Sequence, residues 1–201
     1  MRTSPVILLS VFLLAQTLCA SEKFTDDCMA PDYKHQVVLR GDEDTGAYEL
    51  LIRAPADNKT LFSGDAGGYA SFTAATNPAN FKCMWSPDSK FVAVFTRGTK
   101  RSGDAAIYYV TENMVQEIAF PDLMPSITRH LTAEMRALWV RPEVWLPAHG
   151  LLLSVEGTQM DEEHANFRFL LTLTLKPNKS GKFTAEIASF QQDHTIPFSI
   201  K

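Results

Sequence analysis

The residues best suited to chemistry are His35, His130, His149, His164 and His194, since imidazole is both a common metal ligand and the side chain that titrates nearest neutrality. No two of them have the spacing of a helical zinc site, and neither HExxH nor CxxC occurs. The densest polar run is Asp161-Glu162-Glu163-His164. It holds the donor atoms for a metal or for acid–base work, although consecutive charges between two strands also describe a solvated loop. No serine lies in a GxSxG elbow, and Ser63-Gly64-Asp65-Ala66-Gly67-Gly68 lacks the lysine of a phosphate loop, so it reads as a flexible turn. Trp85, Trp139 and Trp145 stand at strand starts beside apolar runs, which favours core packing over an exposed carbohydrate platform. None of these patterns implies a cofactor.

At 201 residues the chain suits one sizeable domain. Residues 1–20 read as a secretory signal peptide: Arg2 gives a positive start, Val6 to Leu14 an apolar run, and Leu18-Cys19-Ala20 a small-residue end. The run is too short to span a bilayer, and no later stretch is long enough, so no transmembrane segment is expected after cleavage. Cleavage after Ala20 removes Arg2 and takes the net charge from −4 to −5, which gives no reason to expect nucleic acid as a partner. The remaining pair, Cys28 and Cys83, suggests one disulfide in an exported protein, with a buried thiol at Cys83 and a free Cys28 as the alternative. By the chain-entropy estimate a bridge closing a loop of about 55 residues contributes up to about 4 kcal/mol.

The elements that must position these residues are almost all strands. Phe81 to Trp85 and Phe91 to Thr96 flank the turn Ser86-Pro87-Asp88-Ser89-Lys90, and the second run is apolar throughout, as in a strand buried on both faces. Residues 21–34 read as a polar lead-in. Strands are expected at 36–40, 47–53, 60–63, 106–111, 114–120, 138–140, 143–145, 151–156, 166–176 and 182–190, with a further one at 69–74. Ile127, Leu131, Met135 and Leu138 recur near helical spacing, so one amphipathic helix is expected over 126–136, capped by Ser126. Asn58-Lys59-Thr60 and Asn178-Lys179-Ser180 have the form of glycan acceptors, both in turns.

Sliding the chain on itself aligns Trp85-Ser86-Pro87 with Trp145-Leu146-Pro147. At the same offset Val92–Phe95 falls on Leu152–Val155, and Ile107–Val110 on Phe167–Leu170. Each copy, about 81–120 and about 138–190, is the length of one four-stranded propeller blade, and residues 36–74 are a candidate third. The expected fold class is therefore mainly β, with antiparallel blade-like meander units, a partial β-propeller or open stacked sheets, and one short helix.

Trp85-Ser86-Pro87-Asp88-Ser89-Lys90-Phe91-Val92-Ala93-Val94 followed by Ile107-Tyr108-Tyr109-Val110 resembles the blade motif of TolB-type (PD40-like) β-propellers. Ser89 stands where that motif usually has glycine. The resemblance covers about 40 residues closely and about 90 loosely. It implies an exported or periplasmic protein that acts as an interaction platform or an accessory domain, and it carries over no catalytic residue. The repeat places the acidic loop Asp161, Glu162, Glu163 and His164 opposite the basic loop containing Arg97, Lys100 and Arg101, so the two are expected to form one charged rim. The expected function is non-catalytic binding of a protein or cell-envelope component, with oligomerisation open. A secreted hydrolase using the loop cluster at 161–164 is the alternative.

Overall fold

The computed structural model describes residues 21–23, 28–42, 47–66, 80–160 and 166–193. Twelve strands and one short helix are built from them: β1 Ser21–Lys23, β2 Gln36–Asp42, β3 Ala47–Ala54, β4 Lys59–Asp65, β5 Phe81–Trp85, β6 Phe91–Thr96, β7 Ser102–Val110, β8 Val115–Ile118, α1 Met124–Thr128, β9 Met135–Leu146, β10 Gly150–Gln159, β11 Asn166–Pro177 and β12 Phe183–Gln192. The fold is mainly β, as expected. Strands β1–β4, β5–β8 and β9–β12 form three antiparallel meanders. A two-residue parallel pairing, Ser102 with Leu138 and Gly103 with Trp139, joins the second unit to the third.

β6 sits at the centre because its sequence has no polar face. Phe91 through Phe95 are each at most 1% exposed. Val92 and Val94 point into a cluster shared with the first unit (Val37, Leu39, Leu50, Ile52), while Phe91 and Ala93 point into one shared with the third (Trp145, Leu151, Leu153, Leu173). Burying one such aromatic side chain contributes roughly 1.5–3 kcal/mol. The same burial presses on polar groups among the apolar ones: desolvation beside Glu117 pushes the Tyr108 hydroxyl up to about 12.

The turns show how the units repeat. Ser86 N–H donates to Phe91 O (2.8 Å) and Ser89 N–H to Ser86 O (2.9 Å), with Ser89 at φ 60°. The same arrangement occurs 56 positions earlier: Ala30 N–H to His35 O (2.8 Å), Tyr33 N–H to Ala30 O (2.9 Å) and Tyr33 at φ 60°. Residues 30–34 are thus the first unit's turn rather than a lead-in, and their Pro31-Asp32-Tyr33-Lys34 matches Pro87-Asp88-Ser89-Lys90. The third unit turns in two residues, Ala148 (φ 56°) and His149 (φ 59°). Being one residue shorter, it brings Leu151, not Leu152, to the position of Val92: Trp85 pairs with Val92, and Trp145 with Leu151. β10 and β11 are also longer than β6 and β7, so Tyr108 corresponds to Leu173 rather than Arg168.

Each unit is fastened to the one before it by a tryptophan. Trp85 Nε1–H donates to Cys28 O (3.0 Å), and Trp145 Nε1–H to Met84 O (2.9 Å). The Trp85 ring stacks on His35 (6.2 Å between centroids) and the Trp145 ring packs against Phe91 (6.0 Å), the residues that close the preceding turns.

Three further expectations need correction. The helix covers only Met124–Thr128, with Leu123 rather than Ser126 at its N-cap. Beyond it, Gln159 Oε1 accepts from the N–H groups of Thr132 (2.9 Å) and Ala133 (3.0 Å), turning the chain away, and Met135 and Leu138 lie on β9. The two strands expected at 138–140 and 143–145 are one, because Pro142 sits at a bulge where Glu143 is extra in the ladder. Gly64 and Asp65, read as part of a turn, belong to β4. The expected strand at 69–74 lies outside the described residues.

Candidate functional site

The three meanders have two ends. The Pro-containing turns at 31–34, 87–90 and 147–149 gather at one, and β2, β6 and β10 run to the other. Asp32, Asp88 and His149 line up at the turn end. Asp32 N–H donates to Ser89 Oγ (3.1 Å) across the first junction, and His149 Nε2 lies 3.6 Å from Asp88 Oδ2 across the second. Ser86, Asp88 and His149 therefore bring a hydroxyl, a carboxylate and an imidazole together around a cavity of about 250 Å³, also lined by Pro87, Trp145 and Leu146. Their order excludes a nucleophilic triad, which needs the imidazole next to the hydroxyl. Here the carboxylate lies between them: Ser86 Oγ donates to Asp88 Oδ1 (2.6 Å) and accepts from Phe91 N–H (2.9 Å). Ser86 is 3% exposed and holds the turn. Burial raises the Asp88 carboxyl, but hydrogen bonds from Ser86 and Lys90 N–H, with the His149 and Lys90 charges, bring it below its ordinary value.

At the loop end, the guanidinium of Arg97 is taken up by its own loop and by Asn80 at the entry to β5. Nε donates to Thr99 O (3.0 Å), Nη1 to Asn80 Oδ1 (3.0 Å) and Nη2 to Lys100 O (3.1 Å). Thr99 Oγ1 and Ser102 Oγ close the loop at 2.8 Å. Arg97 thus shapes the loop, while Lys100 and Arg101 are exposed upon it. Asp161, Glu162, Glu163 and His164 lie outside the described residues, but both strands carrying their loop are placed. Met160 N–H donates to Glu134 O (2.9 Å) and Leu138 N–H to Arg101 O (2.9 Å), so both loops spring from the entry to β9. Beside that entry lies a cleft of about 590 Å³ lined by Met124, Thr128, Leu131, Thr132, Glu134 and Met135. Unbranched methionines make such a wall adaptable.

A second polar cluster was not anticipated. Arg168 on β11 has Nε 3.2 Å from Glu156 Oε1, Nη2 3.7 Å from Glu143 Oε1 and Nη1 3.7 Å from Asp193 Oδ2. Ser154 Oγ donates to Glu143 Oε1 (2.5 Å), and Lys82 Nζ reaches Pro142 O (2.5 Å). Burial raises the Glu156 carboxyl and Glu143 adds to this, against the pull of Arg141 and Arg168. The sequence signal was present, as single charges in otherwise apolar strands (Leu151-Leu152-Leu153-Ser154-Val155-Glu156 and Phe167-Arg168-Phe169), but contacts among residues on separate strands cannot be read without the register.

Cys28 and Cys83 are both buried in the first cluster, without an S–S bond between them. Trp85 and Trp145 are core residues, 8% and 9% exposed. Among the described residues no group of three or more His, Cys, Asp or Glu side chains is placed to hold a metal ion, and no helix is long and apolar enough to cross a membrane.

No family model and no curated protein matches the chain. Among solved structures it is similar to the Pyrococcus horikoshii acylaminoacyl peptidase, at 9% identity and a TM-score of 0.40, over 79% of this chain. The chain spans 23% of the length of that peptidase. A likeness of that size carries no argument about activity.

Proposed function

We propose that this chain is an exported, non-catalytic binding module that contacts a protein or cell-envelope component through its loop end. The observation that carries the reading is the contrast between the ends. At the turn end the Ser, Asp and His groups are engaged in holding turns and junctions, whereas at the loop end the exposed Lys100 and Arg101 stand near a methionine-lined cleft. The signal-like residues 1–20 and the resemblance of residues 85–110 to TolB-type blades support export and an interaction role.

Photo-crosslinking in the exporting cell tests this. A crosslinker at Lys100 gives discrete adducts, while one at Lys179, in the β11–β12 hairpin turn at the opposite end, gives none. Equal labelling at both positions would overturn the reading. Hydrolysis by the purified protein that is abolished by Glu163→Ala or His164→Ala would replace it with the enzymatic one.

Export also favours a Cys28–Cys83 bridge between the first and second units. Two thiols would lose two protons and two electrons to a thiol–disulfide oxidoreductase of the receiving compartment. Thiol titration of the exported protein in denaturant should find none before reduction and two after. Two before reduction would contradict the bridge.

A further inference from the structure

At each junction the residue that closes a turn fills one slot, against the tryptophan of the next unit. Ser86 N–H donates to Phe91 O and Ala30 N–H to His35 O, both at 2.8 Å, so His35 holds in the first unit the position that Phe91 holds in the second. Phe91 is fully buried, and its ring lies 6.0 Å from that of Trp145. His35 is 5% exposed, and its ring stacks on Trp85 at 6.2 Å with 24° between the planes. An ionisable ring thus stands at the first junction where the second has a hydrocarbon one.

The surroundings of His35 suit its neutral form. Nδ1 is buried without a hydrogen-bond partner, so a proton placed there would make a charged donor with no acceptor. Burial is the largest influence on the imidazole and holds it below its ordinary value. Asp32 of the same turn acts against burial, and Lys34 acts with it. Glu112 and a backbone hydrogen bond at Thr111, both at the β7–β8 turn, also act against it. Among the described residues these are the charged groups that bear on the ring, and Lys34 Nζ itself lies 3.4 Å from Glu112 Oε1.

The histidine at the second junction has the opposite setting. His149 is exposed and its Nε2 lies 3.6 Å from Asp88 Oδ2, so a proton there meets both water and a carboxylate.

We infer that the first junction is acid-labile: a proton on His35 loosens the first unit from the second, while the second junction keeps its packing. Above the unfolded imidazole value, about 6.5, the ring is neutral whether the junction is closed or open. As pH falls through that value the open state takes up a proton that the closed state does not. Stability of the junction is then lost progressively until the lower, folded value is reached. Opening uncovers the Trp85 ring and the side of β6 that carries Val92 and Val94.

Deuterium exchange of the indole N–H protons, followed by nuclear magnetic resonance from neutral pH to about 5, tests the inference. Trp85 in the native protein should lose protection by up to about tenfold per pH unit below about 6.5, relative to His35→Phe at the same pH. Trp145 should be protected equally in both proteins. His35→Gln keeps a donor for the Thr111 backbone and cannot titrate. It should therefore lose the same pH dependence even where it lowers protection at every pH. Parallel losses at Trp85 and Trp145 in the native protein would overturn the inference, as would an unaltered pH dependence of Trp85 in either variant.

Discussion

Tyr33, Ser89 and His149 adopt the same left-handed backbone, at φ 60°, 60° and 59°, yet their side chains have different tasks. An L-residue there bears a cost of roughly 1–2 kcal/mol that glycine does not. Ser89 offsets it through its hydrogen bond with Asp32 N–H, and His149 through Asp88 and the Phe91 ring, 4.9 Å away. The Tyr33 side chain is 79% exposed. Tyr33→Gly should therefore raise the thermal midpoint, by about 0.5–1 kcal/mol in stability once the extra freedom of glycine in the unfolded chain is subtracted. Ser89→Gly should gain little or lose stability. Ser89 stands where the blade motif usually has glycine, the residue that adopts this left-handed backbone without cost. Its bond to a turn 57 residues earlier was invisible there. Glu156 offers a pH test. Its carboxyl is raised by burial, so its contribution to stability is fully present below the unfolded glutamate value and is lost as pH rises through the folded value. The stability difference between the native protein and Glu156→Gln, followed by chemical denaturation, should shift in favour of the native protein as pH falls from neutral toward 5. An unchanged difference would place Glu156 in a solvent-like site.

The strands were legible where apolar runs were unbroken, and the errors fall where one side chain overrides local pattern. Ile127, Leu131, Met135 and Leu138 are spaced for a helix, and Ile127 is indeed buried on α1. The amide of Gln159, 8% exposed, captures the backbone at Thr132 and Ala133 and ends the helix early. Gln159→Ala would leave those two N–H groups without their acceptor at the wall of the methionine-lined cleft, at a cost of roughly 1–3 kcal/mol. Hydrogen exchange should show Thr132 and Ala133 losing protection while β6 keeps its own. Unaltered protection at both amides would mean that other contacts set the path into β9. Pro142 misled the strand reading in a similar way, since a proline in a strand usually marks an edge, whereas here a bulge accommodates it.

Across the whole molecule the repeat was the most informative sequence feature and the hardest to align. Trp85 and Trp145, aligned in the sequence, make equivalent indole hydrogen bonds, but one residue fewer in the third turn and longer β10 and β11 move every later pairing. The closest copy of the central turn, at residues 30–34, has Met29 in place of the tryptophan and so escaped notice. What holds the stack is a pair of indole hydrogen bonds repeated from junction to junction, and Trp139 supplies an internal control because its buried Nε1 has no acceptor among the described residues. Trp145→Phe keeps most of the ring and leaves Met84 O unmatched, so it should lower stability by about 1–3 kcal/mol, with its largest effect at the junction between the second and third units. The most direct test of the account is the exchange of the three indole N–H protons with deuterated solvent, followed by nuclear magnetic resonance. The stacked-unit architecture predicts that the Trp85 and Trp145 protons exchange slowly, at rates set by opening of the whole stack, and that both are slower than Trp139. Rapid exchange at Trp85 or Trp145 would contradict it, because the unit carrying that tryptophan would not be fastened to the one before.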